Sequence, residues 1–99
     1  FREYREGNYL RARQQFETSL QIDPQNSLAR VYAENCRIGI EKQVSEHLNR
    51  GRRAAVSGRY GSATGHFQSV LRLLNRDPSN PLAKEAKEQL EMLQKKGRG

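Results

Sequence analysis

The sequence contains no tryptophan, one cysteine and one methionine among 99 residues, and only 34% of its residues are hydrophobic. A lone cysteine cannot close an intrachain disulfide, and with only two histidines it cannot complete a four-ligand zinc site. Apolar runs are two or three residues long, so neither a transmembrane helix nor a signal peptide is predicted. These scarcities favour one small, non-enzymatic domain without cofactor or metal. They leave the compartment open, with the cytoplasm favoured over the periplasm.

Acidic residues are scarce in the middle of the chain, where most of the net charge of +7 lies. Residues 1–41 carry six basic and six acidic side chains. Residues 42–76 carry seven basic side chains and one acidic one, and residues 77–99 carry five basic and four acidic ones. The densest part is the basic patch, which consists of Arg50, Arg52, Arg53 and Arg59. Arginine can hold a carboxylate or phosphate through two parallel hydrogen bonds. The same residues equally suit a solvated helix end, where they oppose the helix dipole.

The chain contains an internal repeat. Four residues recur 51 positions later: Gly7, Tyr9, Ala12 and Phe16 correspond to Gly58, Tyr60, Ala63 and Phe67. The segment Asp23-Pro24-x-Asn26 recurs 54 positions later as Asp77-Pro78-x-Asn80. Identities in the same order at a nearly constant offset indicate a duplicated unit.

The spacing of apolar residues predicts an all-α fold. Four helices are expected after a short N-terminal remnant, namely 8–22, 27–57, 60–75 and 80–95. Asn8 and Asn80 are the expected N-caps, and Gly58 is the expected left-handed residue that stops the long helix.

Three further glycines carry separate expectations. The sequence leaves open whether the long helix is continuous or broken near Gly39. Gly61 and Gly65 each cost their helix about 1 kcal/mol relative to alanine. We therefore expect a neighbouring backbone to pack closely against both.

The signature Gly-x-Tyr-x-x-Ala-x-x-x-Phe, followed by Asp-Pro-x-Asn, resembles the second half of a tetratricopeptide repeat (TPR). That family stacks helix pairs of roughly 34 residues into a superhelix, or solenoid. The matching residues are Gly7, Tyr9, Ala12, Phe16 and Pro24 in the first copy and Gly58, Tyr60, Ala63, Phe67 and Pro78 in the second. The resemblance implies that the glycines and alanines allow close helix approach and that the aromatic residues fill the gap between units.

The resemblance covers nearly the whole chain and implies one TPR-like domain over residues 1–96. Its parts would be a truncated first repeat, an elongated second repeat and a capping helix, over 1–26, 27–80 and 81–96, with 97–99 as a tail. The offset of 51 exceeds the period of the family, which implies that the leading helix is elongated. The chain is then expected to be a fragment of a longer or divergent array.

In this family the leading helix of each pair lines an inner groove, which implies a set of partner-binding residues. They are Val31, Asn35, Ile38, Leu48, Arg52 and Ala55. One known type of groove captures a partner's C-terminal carboxylate with lysine and asparagine. Leu48 and Arg52 stand at those positions here, so that mode of binding is not predicted.

No residues form a recognisable catalytic pattern. His47 and His66 lie 19 positions apart without a nearby aspartate, cysteine or paired-glutamate arrangement for acid–base work. His66 is expected to be a surface or interhelical side chain. Cys36 lies on the apolar line of the long helix, where a small buried thiol is expected.

The leading hypothesis is a non-enzymatic scaffold module that binds another protein or peptide, with an acidic partner as one candidate. A second hypothesis is binding of nucleic acid or an anionic surface through residues 42–76. It is less favoured because residues 48–59 lack the aromatic side chains that stack on bases. A third is self-association through Phe1, Tyr4 and the apolar face of helix 8–22.

Overall fold

The computed structural model describes residues 1–98, and that part of the chain is all-helical without strands. The helices are α1 (Arg2–Arg5), α2 (Tyr9–Ile22), α3 (Ser27–Val56), α4 (Tyr60–Leu73) and α5 (Pro81–Arg98). The predicted all-α class is therefore confirmed. The stacking of these helices as a repeat solenoid stays a prediction. None of the described helices is both long enough and apolar enough to cross a membrane.

The observed helix bounds differ from the predicted ones mainly at the C-terminal ends. α3 is one uninterrupted helix through Gly39, which answers the question that the sequence left open. α4 ends at Leu73 rather than at residue 75. α5 continues to Arg98 instead of ending at residue 95. Gly99 lies outside the described residues.

The chain divides into two compact units, here named the N-terminal unit (residues 1–42) and the C-terminal unit (from Gln43 onward). The first part of α3 belongs to the N-terminal unit and the rest of it to the C-terminal unit. The predicted domain over 1–96, with its divisions at residues 26 and 80, stays a prediction.

Aromatic rings dominate the core of the N-terminal unit. Phe16 and Tyr32 stack with ring centroids 5.4 Å apart, and the rings of Phe1 and Tyr4 meet the Tyr32 ring edge-on at 4.9 and 5.0 Å. Ala12 is fully buried and Phe16 is 9% exposed. α1 brings the Tyr4 ring onto Phe16, whereas Phe1 is 57% exposed. Self-association through this edge of helix 8–22 stays a prediction.

The core of the C-terminal unit is aliphatic around a single phenylalanine. Its buried side chains are Val44, Leu48, Ala54, Ala63, Phe67, Val70, Leu73, Ala83, Ala86 and Leu93. They come from the second part of α3 and from α4 and α5, at spacings of three or four residues or sums of these, which are typical of one helix face. Ala63 and Phe67 carry the repeat signature and are both fully buried.

The glycine of the first repeat copy forms the helix-ending turn after α1. Gly7 has a positive φ of 79°, a conformation that costs glycine little. Its amide donates to the carbonyl of Tyr4 at 3.1 Å, and the Asn8 amide donates to the carbonyl of Glu3 at 2.9 Å. These two bonds define the Schellman motif, in which backbone amides beyond the helix satisfy its last carbonyls.

The second copy forms the same turn after α3. Gly58 has a φ of 77°, as predicted for the residue that stops the long helix. Its amide donates to the carbonyl of Ala55 at 3.1 Å, and the Arg59 amide donates to the carbonyl of Ala54 at 2.9 Å. The 51-residue sequence repeat is thus also a repeat of one hydrogen-bond pattern.

The Asp-Pro-x-Asn segments form a second repeated turn. The Asn26 amide donates to the carbonyl of Asp23, and the Asn80 amide donates to that of Asp77, both at 3.1 Å. Each asparagine side chain then accepts a first-turn amide of the next helix, at 3.0 Å in α3 and 2.9 Å in α5. The predicted cap at Asn80 is confirmed.

Two expectations about local structure are wrong. Asn8 stands at the N-cap of α2, but its amide group donates to the carboxylate of Glu3 at 2.8 Å and makes no side-chain cap. Nothing packs within 4 Å of a Cβ placed at Gly61 or Gly65. Close packing occurs instead at two glycines of α3, since Gly39 faces the ring of Tyr9 and Gly51 that of Phe67.

Candidate functional site

One face of α3 in the N-terminal unit carries exposed apolar side chains. Leu28, Val31 and Ile38 are 57%, 55% and 51% exposed. Asn35 completes this face and is half-buried. We call these four residues the apolar stripe. Their spacing of three, four and three places them along one side of the helix.

A different face of the same helix packs against its neighbours, which explains why the stripe is open. Ala29 and Cys36 are buried against α2, and Tyr32 stacks on Phe16. A single helix cannot turn two apolar faces toward one neighbour, so the second face stays in solvent. Three of the six predicted partner-binding residues, Val31, Asn35 and Ile38, belong to the stripe.

Charged side chains border the apolar stripe. The Arg37 guanidinium donates to both carboxylate oxygens of Glu34 at 3.0 Å and also pairs with Glu41. Hydrogen bonding to Arg37 holds the pKa of the Glu34 carboxyl below its usual range. These groups are about half exposed, so they form a polar rim beside the apolar side chains.

The other three predicted partner-binding residues lie in the C-terminal unit and do not form one surface. Leu48 is 2% exposed and belongs to the core, so it cannot line a groove. Ala55 is half-buried. Arg52 is exposed, but its guanidinium is already engaged by Glu85. Leu48 was assigned to a groove by the resemblance to tetratricopeptide repeats, which does not specify the side of α3 that packs in this chain.

Arg52 and Glu85 form a two-bond pair between α3 and α5. Nε donates to Oε2 at 2.7 Å and Nη2 donates to Oε1 at 2.6 Å, while Nη1 reaches the side-chain oxygen of Asn49 at 3.3 Å. The hydrogen bond from Arg52 lowers the pKa of the Glu85 carboxyl, and the same bond raises the pKa of Arg52. Arg52 therefore orients α5 in addition to carrying charge.

The remaining arginines of the basic patch are exposed. Arg50, Arg53 and Arg59 make no ion pair within residues 1–98. Arg53 and Arg59 border an open groove of about 470 Å³ together with Arg52, Val56 and Ser57. The structure thus gathers three of the four predicted basic residues at the C-terminal end of α3.

The two histidines, which the sequence gave no reason to pair, meet in the C-terminal unit. Nδ1 of His47 on α3 lies 3.0 Å from Nδ1 of His66 on α4, and the ring centroids are 5.3 Å apart. One ring donates the shared proton and the other accepts it. Burial, followed by the charges of His66, Arg50 and Arg72, lowers the pKa of His47. No sequence motif marks this pair, because the two residues lie on different helices.

Other polar groups show no reactive arrangement in the described chain. Burial raises the pKa of the Cys36 thiol, consistent with the expected structural role. No group of three or more potential metal ligands occurs among residues 1–98. A groove of about 580 Å³ in the N-terminal unit is bordered by Arg13, whose buried Nε has no hydrogen-bond partner.

Comparisons of the chain with models of protein families, with curated proteins and with solved structures gave no match.

Proposed function

We propose that this chain is a non-catalytic, TPR-like interaction module that binds a partner protein or peptide on its helical surface. The observation that carries the proposal is the apolar stripe, in which three large side chains on one helix face are each more than half exposed. Single exposed apolar residues are ordinary, whereas an aligned set with a polar rim is typical of binding surfaces.

The repeated turns support the helical-repeat part of the proposal. Both copies contain the same glycine-centred turn at the end of one helix, and in both an asparagine caps the helix that follows the Asp-Pro segment. A duplicated helix–turn–helix unit is what the resemblance to tetratricopeptide repeats implies. The partner would lay an apolar face or an extended segment against Leu28, Val31 and Ile38.

The test begins with peptides selected from a random display library on the full chain. Their affinities are then measured by fluorescence anisotropy against the Val31→Ser/Ile38→Ser variant. We expect binding at least about tenfold weaker in this variant, because hot-spot side chains carry most of the affinity. The matched control is Ile22→Ser/Met92→Ser, which removes two exposed apolar side chains elsewhere and should leave affinity unchanged.

Three results would refute this function. The first is that no peptide is selected, and the second is that the two double variants weaken binding equally. The third is a hydrolytic or transfer activity in the isolated chain that survives purification and disappears on a single substitution.

A second candidate is binding of nucleic acid or an anionic surface through residues 42–76, which the exposed, unpaired Arg50, Arg53 and Arg59 favour. A labelled mixed-sequence oligonucleotide would be titrated at about 50 and about 200 mM salt, since phosphate contacts weaken steeply as salt rises. Submicromolar binding that survives the higher salt and needs these arginines would replace the scaffold function. Loss of binding at the higher salt would leave it in place.

A third candidate is self-association through Phe1, Tyr4 and the apolar face of helix 8–22, of which Phe1 is 57% exposed. The apolar stripe of α3 is a further surface that a second copy would cover. Light scattering over a concentration series distinguishes it. Dimers that dissociate in Val31→Ser/Ile38→Ser would make a second copy the partner.

A further inference from the structure

The two glycine turns have the same backbone but opposite charge balance. In the first turn Arg2 donates to Glu6 at 3.2 Å, and the side chain of Asn8 donates to Glu3 at 2.8 Å. Residues 1–8 contain two arginines and two glutamates, so their side-chain charges balance, and both glutamates accept a hydrogen bond within the turn.

The second turn has lost both acids. At the offset of 51, Ala54 and Ser57 stand where the first copy has its glutamates, and Arg59 replaces the asparagine. Residues 52–59 therefore carry three arginines and no acidic residue. Arg53, which corresponds to the paired Arg2, has no acidic partner within residues 1–98.

The arginines of this turn are not needed to cap α3. Its last carbonyls already accept backbone amides: the Ser57 amide donates to Arg53 at 3.0 Å, and the turn residues Gly58 and Arg59 donate to the two carbonyls that follow. Arginine near a helix C-terminus gains from the dipole, but the guanidinium groups of Arg53 and Arg59 make no ion pair within residues 1–98.

An apolar side chain lies among these charges. Val56 is 90% exposed and borders the groove of about 470 Å³ together with Arg52, Arg53, Ser57 and Arg59. Because Arg52 is held by Glu85 at 2.6 and 2.7 Å, one side of the groove is fixed in place. The groove thus offers two free guanidinium groups beside one exposed methyl surface.

We propose that this groove, the arginine groove, binds an acidic segment of a partner protein in which carboxylates flank an apolar side chain. Arg53 and Arg59 would each hold a carboxylate through charge-assisted hydrogen bonds, and the apolar side chain would cover Val56. The proposal rests on the proposed interaction function and gives it a second contact of defined chemistry.

Charge complementarity alone would also suit a phosphate backbone, but two observations favour a peptide. Val56 offers apolar contact that a phosphate chain does not use. The aromatic ring nearest in sequence, Tyr60, has the ammonium of Lys96 5.7 Å from its centroid, so that face of the ring is not free to stack on a base.

The probe is a fluorescein-labelled synthetic peptide of Glu-Glu-Leu repeats, titrated with the full chain at about 150 mM salt, where long-range attraction between exposed charges is screened. The test variant is Arg53→Gln/Arg59→Gln. The matched control is Arg5→Gln/Arg11→Gln, which removes the same charge from exposed positions of the N-terminal unit. We expect at least about tenfold weaker binding in the test variant and less than about twofold change in the control, because charge-assisted hydrogen bonds act at contact.

Val56→Ser separates the apolar contribution. It should weaken the Glu-Glu-Leu peptide and leave an all-glutamate peptide unchanged. Equal losses in the two arginine variants, no effect of Val56→Ser, or tighter binding of a mixed-sequence oligonucleotide through the same arginines would each overturn the proposal.

The variant Val31→Ser/Ile38→Ser keeps this test apart from that of the proposed function. It should bind the Glu-Glu-Leu peptide as the wild type does, because the apolar stripe lies outside the arginine groove. Binding that instead depends on the stripe and not on Arg53 and Arg59 would refute the arginine groove while supporting the interaction function.

Discussion

Gly51 lies against the ring of Phe67, and a Cβ at this position would stand 2.8 Å from Cε1 of that ring. Phe67 is fully buried, so its ring cannot swing away into solvent. Two helices of the C-terminal unit can approach this closely only because α3 has no side chain at residue 51. Added volume at residue 51 would therefore disturb the packing of this unit.

Gly51→Ala is expected to lower the free energy of unfolding by about 1 kcal/mol, because overpacking costs about 1–3 kcal/mol and exceeds the gain in helix propensity. Urea unfolding followed by circular dichroism measures the difference. Gly65→Ala is the control. Its Cβ would meet nothing within 4 Å, so the same substitution should stabilise α4 by about 0.5–1 kcal/mol. Changes of the same sign in both variants would contradict the packing difference between these two glycines.

Asn80→Ala is expected to cost about 1 kcal/mol, because its side-chain oxygen caps the first turn of α5. The substitution Asn8→Ala at the corresponding place on α2 should cost less than about 0.5 kcal/mol, since that side chain makes no cap and only an exposed hydrogen bond to Glu3. Thermal unfolding of the two variants under one buffer compares them directly. A larger loss in Asn8→Ala would show that the helix starts are stabilised in another way.

The Arg52–Glu85 pair is expected to show a coupling energy of about 0.5–1 kcal/mol in a double-mutant cycle with alanine. The value is modest because the side chains are 48% and 30% exposed. Arg52→Lys should lose most of the coupling, since an ammonium cannot reproduce the two parallel bonds. The Arg2–Glu6 pair, with one contact and side chains 84% and 51% exposed, is the control and should couple by no more than about 0.3 kcal/mol.

The His47–His66 contact predicts that acid weakens the C-terminal unit. The pKa of His47 is lowered in the folded chain, so below the ordinary value of about 6.5 the unfolded chain binds this proton first. Stability is then complete above that pH and is lost as the pH falls towards the folded pKa. His47→Gln should flatten the dependence of unfolding free energy on pH between about 7 and about 5. The same slope in wild type and variant would refute the assignment to His47.

The turns and helix starts could be predicted from the sequence with few errors. Gly58 ends α3 in the left-handed conformation and Asn80 caps α5, because both features depend on residues within a few positions along the chain. The errors arose where another interaction or a longer helix replaced the structure that the local sequence rule predicts. The side chain of Asn8 donates to Glu3 instead of capping α2. α5 continues to Arg98, beyond its predicted end at residue 95.

The candidate sites were predicted less well, because they depend on which face of α3 packs. The resemblance to tetratricopeptide repeats implied that Val31 and Ile38 face a groove, and both side chains are exposed. The same resemblance implied a groove position for Leu48, whereas it is buried in the core. A repeating apolar pattern gives the period of a helix, but neighbouring helices determine which of its apolar lines is covered.

The sequence by itself determined the all-helical class, the duplicated turns and the block of positive charge, since each follows from short-range backbone chemistry or from composition. Only the tertiary structure decided that His47 contacts His66 and that Arg52 contacts Glu85 on another helix. It also decided that a side chain is excluded at Gly51 but not at Gly65. The physical reason is that helix packing sets the rotation of each helix about its axis. That rotation depends on side-chain volumes distant in sequence, which no local pattern contains.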